Sequence, residues 1–295
     1  HVMSVALSKF AEEEIGVKVM VAEHGSTVAR VKMVINKDTE FGNTLGFTVV
    51  KDAWDGKEAF TGRQPIRVIM SEYLGGMLLI SLKRAGIVST KDLKGKRIMV
   101  INKGLPYYEE MLRYLLEYNG MTWSDIKGIE YADPREVNDG LKAGTIDGGY
   151  RTSGAKGSGA VIELSRTLDI NVLSHTEGEI KHVFSKQPSF QKLTTAAGVY
   201  KGVGELQLLG YPMYTIAHQD VSNDLVYAVC KIMMDTCGPD TPGRFEKVHP
   251  DRDYTLRSAC PVPSVAPYHD GAVKYFKDRG VWTDEHERAQ KKLLG

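Results

Sequence analysis

Arg151 is the residue whose type and position carry the most chemical meaning. It directly follows a stretch, Ile146 to Tyr150, that reads as a strand. A guanidinium fork at such a place can hold a carboxylate through two parallel hydrogen bonds, or can simply be a solvated surface arginine. Thr152 and Ser153 follow it and add hydroxyl donors. Ser26 and Thr27 stand where a loop becomes a helix, so their hydroxyls can cap the helix, touch a ligand, or do both. Arg30 lies one turn further on. Gly104 and Tyr107 belong to a second strand-to-helix loop, where a tyrosine can stack on a flat ligand and donate one hydrogen bond. Trp54 is either a pocket wall or a packing residue. Tyr211, next to Pro212, either touches a ligand or shapes the backbone.

Catalytic constellations are missing by comparison. Gly157-Ser158-Gly159 is the nearest approach to a nucleophile elbow, and its spacing is wrong. No GxGxxG opens a helix, no GxxxxGK[ST] loop exists, and no HExxH occurs. The eight histidines are scattered, so no metal site is expected and no cofactor is implied. Adjacent acids such as Glu109 and Glu110 point about 100° apart on a helix and cannot converge on one substrate. Binding without catalysis is the expectation. Cys230 and Cys237 share a helical face, Cys260 stands apart, and no CxxC pair is present. Buried thiols, or one disulfide and a free thiol, both fit that pattern.

These candidates need a scaffold, and the hydrophobic pattern supplies one. Met3 to Ile15 reads as an amphipathic helix closed by Gly16, and Val17 to Val21 alternates like a strand. Val28 to Ile35 is a helix. Phe41 to Val50, Arg67 to Met70 and Met77 to Leu82 read as strands. A second series follows: strand Arg97 to Ile101, a helix from Pro106 to Gly120, strand Ile129 to Tyr131, a helix after Asp133-Pro134 that stops at Gly144, and strand Ile146 to Tyr150. Alternation of this kind predicts mainly parallel sheets flanked by helices, with ligands at the loops beyond the strand ends. The loops from Glu23 to Thr27, Asn102 to Tyr107 and Tyr150 to Ser158 are the site candidates.

The bulk numbers agree. The chain has 295 residues, 42% of them hydrophobic, which suits two domains. With 38 basic and 37 acidic residues, the net charge of +1 gives no reason to expect nucleic acid or an anionic membrane as a main partner. No stretch approaches the ~18 apolar residues of a spanning helix.

Several segments then become specific together. Asp92-Leu93-Lys94-Gly95-Lys96-Arg97-Ile98-Met99-Val100 resembles the segment that opens the second domain of type II solute-binding proteins. Ala143 to Gly149, Ala196 to Gly202, Leu209 to Pro212, and His269 to Lys277 resemble further segments, in order, and Gly25-Ser26 resembles a GGS loop. Taken together the chain resembles the TAXI-family solute receptors of TRAP transporters. That resemblance implies an α/β, two-lobed, periplasmic binding protein-like II fold. Each lobe would be a mostly parallel sheet flanked by helices, with a ligand cleft between the lobes. Lobe 1 would comprise 1–80 and 212–295, lacking its N-terminal strand, and lobe 2 would comprise 81–211. It also implies a monomeric periplasmic receptor, not an enzyme, that delivers a small organic acid to TRAP membrane subunits. The alternative is an enzyme or a ligand-sensing domain on the same scaffold. Two loops depart from the family pattern. No Asn is evident in Gly25 to Arg30, and Tyr107 and Tyr108 replace small hydroxyl residues.

Overall fold

The computed structural model describes residues 2–22, 26–102, 106–235, 244–248 and 259–295. The chain divides into two compact units, His1–Leu74 with Pro212–Gly295, and Gly75–Tyr211. The chain passes between them inside two long strands, β2 (Ile66–Leu82) and β8 (Leu206–His218).

Unit 1 opens with helix α1 (Val2–Ile15), which ends at Gly16 with φ of 66°, the left-handed conformation that glycine adopts without a Cβ clash. Helix α2 (Thr27–Ile35) buries Val31 and Val34. Strand β1 (Phe41–Gly46) pairs antiparallel with β8, Phe41 opposite Ala217 and Gly46 opposite Met213, with an irregularity between Gly42 and Leu45. Helix α3 (Phe47–Asp55) follows at once and buries Phe47, Val50, Ala53 and Trp54. The expected strand from Phe41 to Val50 therefore covers only its first half. Apolar residues three and four apart make the second half a helix face. The expected strand Val17 to Val21 is also absent. Its alternation finds no ladder among the described residues, and Met20 is 90% exposed.

In unit 2, β3 (Arg97–Ile101) pairs in parallel with both β4 (Lys127–Glu130) and β5 (Gly148–Ser153). Strand β5 pairs antiparallel with β2, β2 with β6 (Ile170–Val172), and β7 (Gln191–Thr195) with β8. Helices α4 (Pro106–Tyr118), α5 (Arg135–Ala143), α6 (Gly159–Thr167) and α7 (Glu177–Lys186) belong to the same unit. Pro106 opens α4, Met111, Leu112, Leu115 and Leu116 are its buried stripe, and Gly120 lies just past its end at φ 69°. Helix α5 begins at Arg135, one residue later than expected. Its capping acid is as expected, since Glu136 accepts the backbone N–H groups of Ala132 and Asp133.

The segments Arg67 to Met70 and Met77 to Leu82, expected as two strands, are one. The strand runs through Gly75 and Gly76, where other side chains need the space. A Cβ on Gly75 would lie 2.7 Å from the Tyr211 ring, and one on Gly76 2.5 Å from Leu193. After β8 returns the chain to unit 1, α8 (Asn223–Met234), α9 (Arg244–Val248), α10 (Asp270–Asp278) and α11 (Asp284–Leu294) follow. Cys230 and Cys260 are buried free thiols, while Cys237 lies outside the described residues. No described helix is long and apolar enough to cross a membrane.

Candidate functional site

Arg151 is not in a loop. It is the fourth residue of β5, paired with Leu78 of β2, and Thr152 and Ser153 continue the strand. Strand pairing fixes the backbone, so the side chain is aimed by the pleat and not by loop geometry. The guanidinium is half-buried, and its Nε and Nη1 are shielded from solvent with no hydrogen-bond partner among the described residues. Burial lowers the Arg151 pKa, while the Tyr108 and Tyr131 hydroxyls and the Asp133 carboxylate work in the opposite direction. The Asp133 charge is already engaged. Arg135 binds it at 2.6 Å and holds its pKa down at about 2.

A group of hydroxyls surrounds this cation. The Tyr108 hydroxyl bonds to Thr152 Oγ1, and Thr152 Oγ1 lies 3.3 Å from the Tyr211 hydroxyl. Tyr131 follows β4, and its hydroxyl is buried without a hydrogen-bond partner among the described residues. Burial raises the pKa of both Tyr108 and Tyr131, so these hydroxyls stay protonated. Three hydroxyls linked by two hydrogen bonds keep one proton free. Tyr131 O–H and the Arg151 N–H groups add more, so donors outnumber acceptors and the group suits an anion with several oxygen lone pairs. The rings also pack on one another. Tyr107 lies 4.3 Å from Tyr211 and 5.1 Å from Tyr108, centroid to centroid, and Tyr108 lies 5.9 Å from Tyr150.

Ser153 turns away from this group. Its hydroxyl bonds to the Tyr200 hydroxyl at 2.8 Å, and that phenol also accepts the Ser158 N–H at 3.1 Å. Tyr200 thereby ties the turn after β5 to its own loop. Gly104 lies outside the described residues.

The unit 1 candidates form a different arrangement. Ser26 is the N-cap of α2, accepting the Ala29 N–H at 3.3 Å. Arg30 Nη2 donates to Thr27 Oγ1 at 3.1 Å and to the Thr44 carbonyl at 3.3 Å. Glu72 of β2, a residue that sequence reasoning passed over, is buried beside them. Its carboxylate accepts from the Thr44 N–H, from Thr44 Oγ1 at 2.9 Å and from Thr215 Oγ1 at 2.7 Å. Burial raises the Glu72 pKa, and these three donors and the Arg30 charge moderate the rise. Thr44 has φ of 53°, so Glu72 pins a backbone conformation that a β-branched residue resists. Trp54 is 4% exposed, and the Arg63 and Arg67 guanidinium groups lie 4.4 and 5.3 Å from its ring.

The structure thus brings together Tyr107, Arg151, Thr152 and Tyr211, with Tyr108 and Tyr131 as additions. A lone acid in an apolar strand was the available signal for Glu72. Tyr131 had only the weaker signal of ending a short strand.

Comparison with known proteins adds the family and the fold. Residues 1–280 match the profile of a family described as NMT1-like. A putative periplasmic sulfonate-binding protein of a sulfonate ABC transporter from Methylobacillus flagellatus KT is similar in structure. Its TM-score is 0.54 at 17% identity, over 99% of this chain and 89% of that one. The periplasmic aliphatic sulphonate binding protein from Escherichia coli gives 0.49 at 13% identity, over 98% and 88% of the two chains. The first similarity shows the expected fold class, a mixed α/β protein of the type II periplasmic binding protein kind.

Proposed function

This chain belongs to the NMT1-like family, and from that premise we propose that it is a solute-binding receptor that captures a small organic anion and is not an enzyme. The observation that carries the reading is the Arg151 guanidinium, with Nε and Nη1 buried and unpartnered among the described residues. A buried cation without a counter-charge is costly, and an arriving carboxylate offsets that cost with charge-assisted hydrogen bonds. Thr152, Tyr131, Tyr108 and Tyr211 supply hydroxyls around the same anion, and Tyr107 forms the aromatic wall behind them. The enzyme alternative is disfavoured because Tyr108 and Tyr131 are held protonated by burial, and the Asp133 carboxylate beside Arg151 is tied to Arg135.

The receptor works outside the cytoplasm and passes its solute to a membrane permease. The segments that resemble TAXI receptors favour a TRAP-type permease as the partner, and the Methylobacillus flagellatus KT protein of similar fold is described as the sulfonate-binding protein of an ABC transporter. Reconstitution with each permease class separates the two. The ligand test is a thermal-shift screen of aliphatic and aromatic carboxylates and sulfonates. A true ligand at about 100 times its Kd adds about 2.7 kcal/mol of stability. Arg151→Ala is expected to weaken binding by roughly 2–5 kcal/mol. Unchanged affinity in that variant sinks the assignment.

A further inference from the structure

We propose that one pole of unit 2 is a docking surface for a layer of anionic phospholipid headgroups. The near-neutral charge of the whole chain conceals a strong local imbalance. Residues 83–97 contain six cations, Lys83, Arg84, Lys91, Lys94, Lys96 and Arg97, and one carboxylate, Asp92. The whole chain is at +1, so the remainder is net acidic. Asp92 is occupied locally, accepting the Val88 and Ser89 N–H groups at 3.0 and 2.8 Å and the Ser89 hydroxyl at 2.9 Å.

The fold gathers these cations at one end of the unit 2 sheet. Strand β2 ends at Leu82, β3 begins at Arg97 and β4 begins at Lys127. Hydrogen bonds hold the pole together, Lys96 Nζ to the Ala85 carbonyl at 2.7 Å and the Lys127 N–H to the Lys96 carbonyl at 2.8 Å. Arg97 is neutralised by Asp147 at 2.8 Å. Most of the others are not. Arg84, Lys91 and Lys127 are exposed and form no ion pair among the described residues. Two further carboxylates lie at the pole, Asp125 at 3.5 Å from Lys94 and Asp169 at 4.0 Å from Lys83, but these pairs are loose and the two lysine side chains are 74% and 58% exposed. In their midst Val88 is 70% exposed.

Two features select the partner. The cations are mostly lysines on flexible stems, and all of these lysines except Lys96 are exposed. Mobile headgroups can rearrange around such cations, whereas a folded acidic partner calls for oriented arginine forks. An exposed aliphatic side chain ringed by cations also suits the boundary between headgroups and acyl chains. Arg151 and Tyr131 lie toward the opposite ends of their strands, so docking there leaves the anion site unobstructed.

The test is flotation of the full chain with vesicles of phosphatidylcholine alone and with about a third phosphatidylglycerol. We expect binding to the second kind only, released by added salt. The triple variant Arg84→Glu, Lys91→Glu, Lys127→Glu should lower partitioning about tenfold or more while the melting temperature holds. Should the triple variant melt early, Lys91→Glu alone carries the comparison with a smaller loss. No binding to phosphatidylglycerol vesicles, equal binding to both kinds, or a folded variant that binds like the parent overturns the proposal. Capture by soluble polyglutamate without vesicle binding overturns it too, and assigns the pole to an acidic protein.

Discussion

Arg30 and Arg151 are the same side chain at similar burial in two different units. Arg30 donates to Thr27 and Thr44, and its charge moderates the pKa of Glu72, which in turn satisfies three donors. Arg151 donates to nothing among the described residues and is flanked by a second unsatisfied donor, Tyr131. An arginine whose hydrogen bonds are made within its own unit is part of that unit's stability. One left unpaired among protonated hydroxyls costs stability, and an anion is what relieves that cost.

The contrast can be broken most readily at Glu72. Glu72→Leu leaves buried donors on Thr44 and Thr215 without their acceptor and should cost roughly 3–5 kcal/mol in chemical denaturation. A loss under about 1 kcal/mol would mean that the unit 1 network is not structural. Arg151→Met should do the reverse. Stability in the same assay should hold within about 0.5 kcal/mol or rise, because an unpaired buried charge has been replaced by an apolar chain of similar length. A loss above about 2 kcal/mol would show that Arg151 has a structural partner after all.

Acid should weaken the packing around His175. His175 in unit 2 is fully buried with neither ring nitrogen bonded among the described residues, and burial lowers its pKa to about 4. Folding therefore favours the neutral ring. Its contribution is whole above the unfolded value of 6.5 and is lost as pH falls from there toward about 4, up to about 3 kcal/mol. The pKa of Glu72 in unit 1 is raised, so its contribution runs the other way and grows as pH falls. Residue-resolved hydrogen exchange at pH 7 and pH 5 should show the amides packed around His175 losing protection, and His175→Leu should remove that loss. A small effect is also expected of Tyr131→Phe. Deleting an unsatisfied buried hydroxyl should leave stability unchanged or raise it by about 1 kcal/mol, with ligand affinity falling by a similar amount. A large stability loss would place an unseen acceptor against that oxygen.

How much of this was legible beforehand depended on range. Helix α4 was readable because Pro106, the Met111 to Leu116 stripe and Gly120 are all local signals. The helix over Phe47 to Asp55 was not, because an apolar run of four or five residues suits either period until its neighbours decide. Gly75 and Gly76 fall between the two segments expected as separate strands, and nothing local explains them. Their actual reason, the rings and methyls of Tyr211 and Leu193, lies more than a hundred residues away in the chain. Arg151 and Tyr107 were found from residue type and position after a strand. Thr152 was found the same way, whereas Tyr108 and Tyr131 join the group through packing across the unit, which no spacing encodes. Arg30 was a candidate on the same reasoning as Arg151, and only its partners separate the two.

The packing of Tyr211 against Gly75 also bears on the order in which the chain assembles. Gly75 and Tyr211 are the first and last residues of unit 2, so that unit is an insertion whose two ends touch. During synthesis it is complete once Tyr211 has left the ribosome, when unit 1 still lacks Pro212–Gly295. Once unit 2 has folded, its 137 residues no longer form a long floppy loop between the halves of unit 1. They act as a short clasp, and the entropy of bringing those halves together falls accordingly. A ribosome-stalled chain ending shortly after β8 should therefore already resist protease across unit 2.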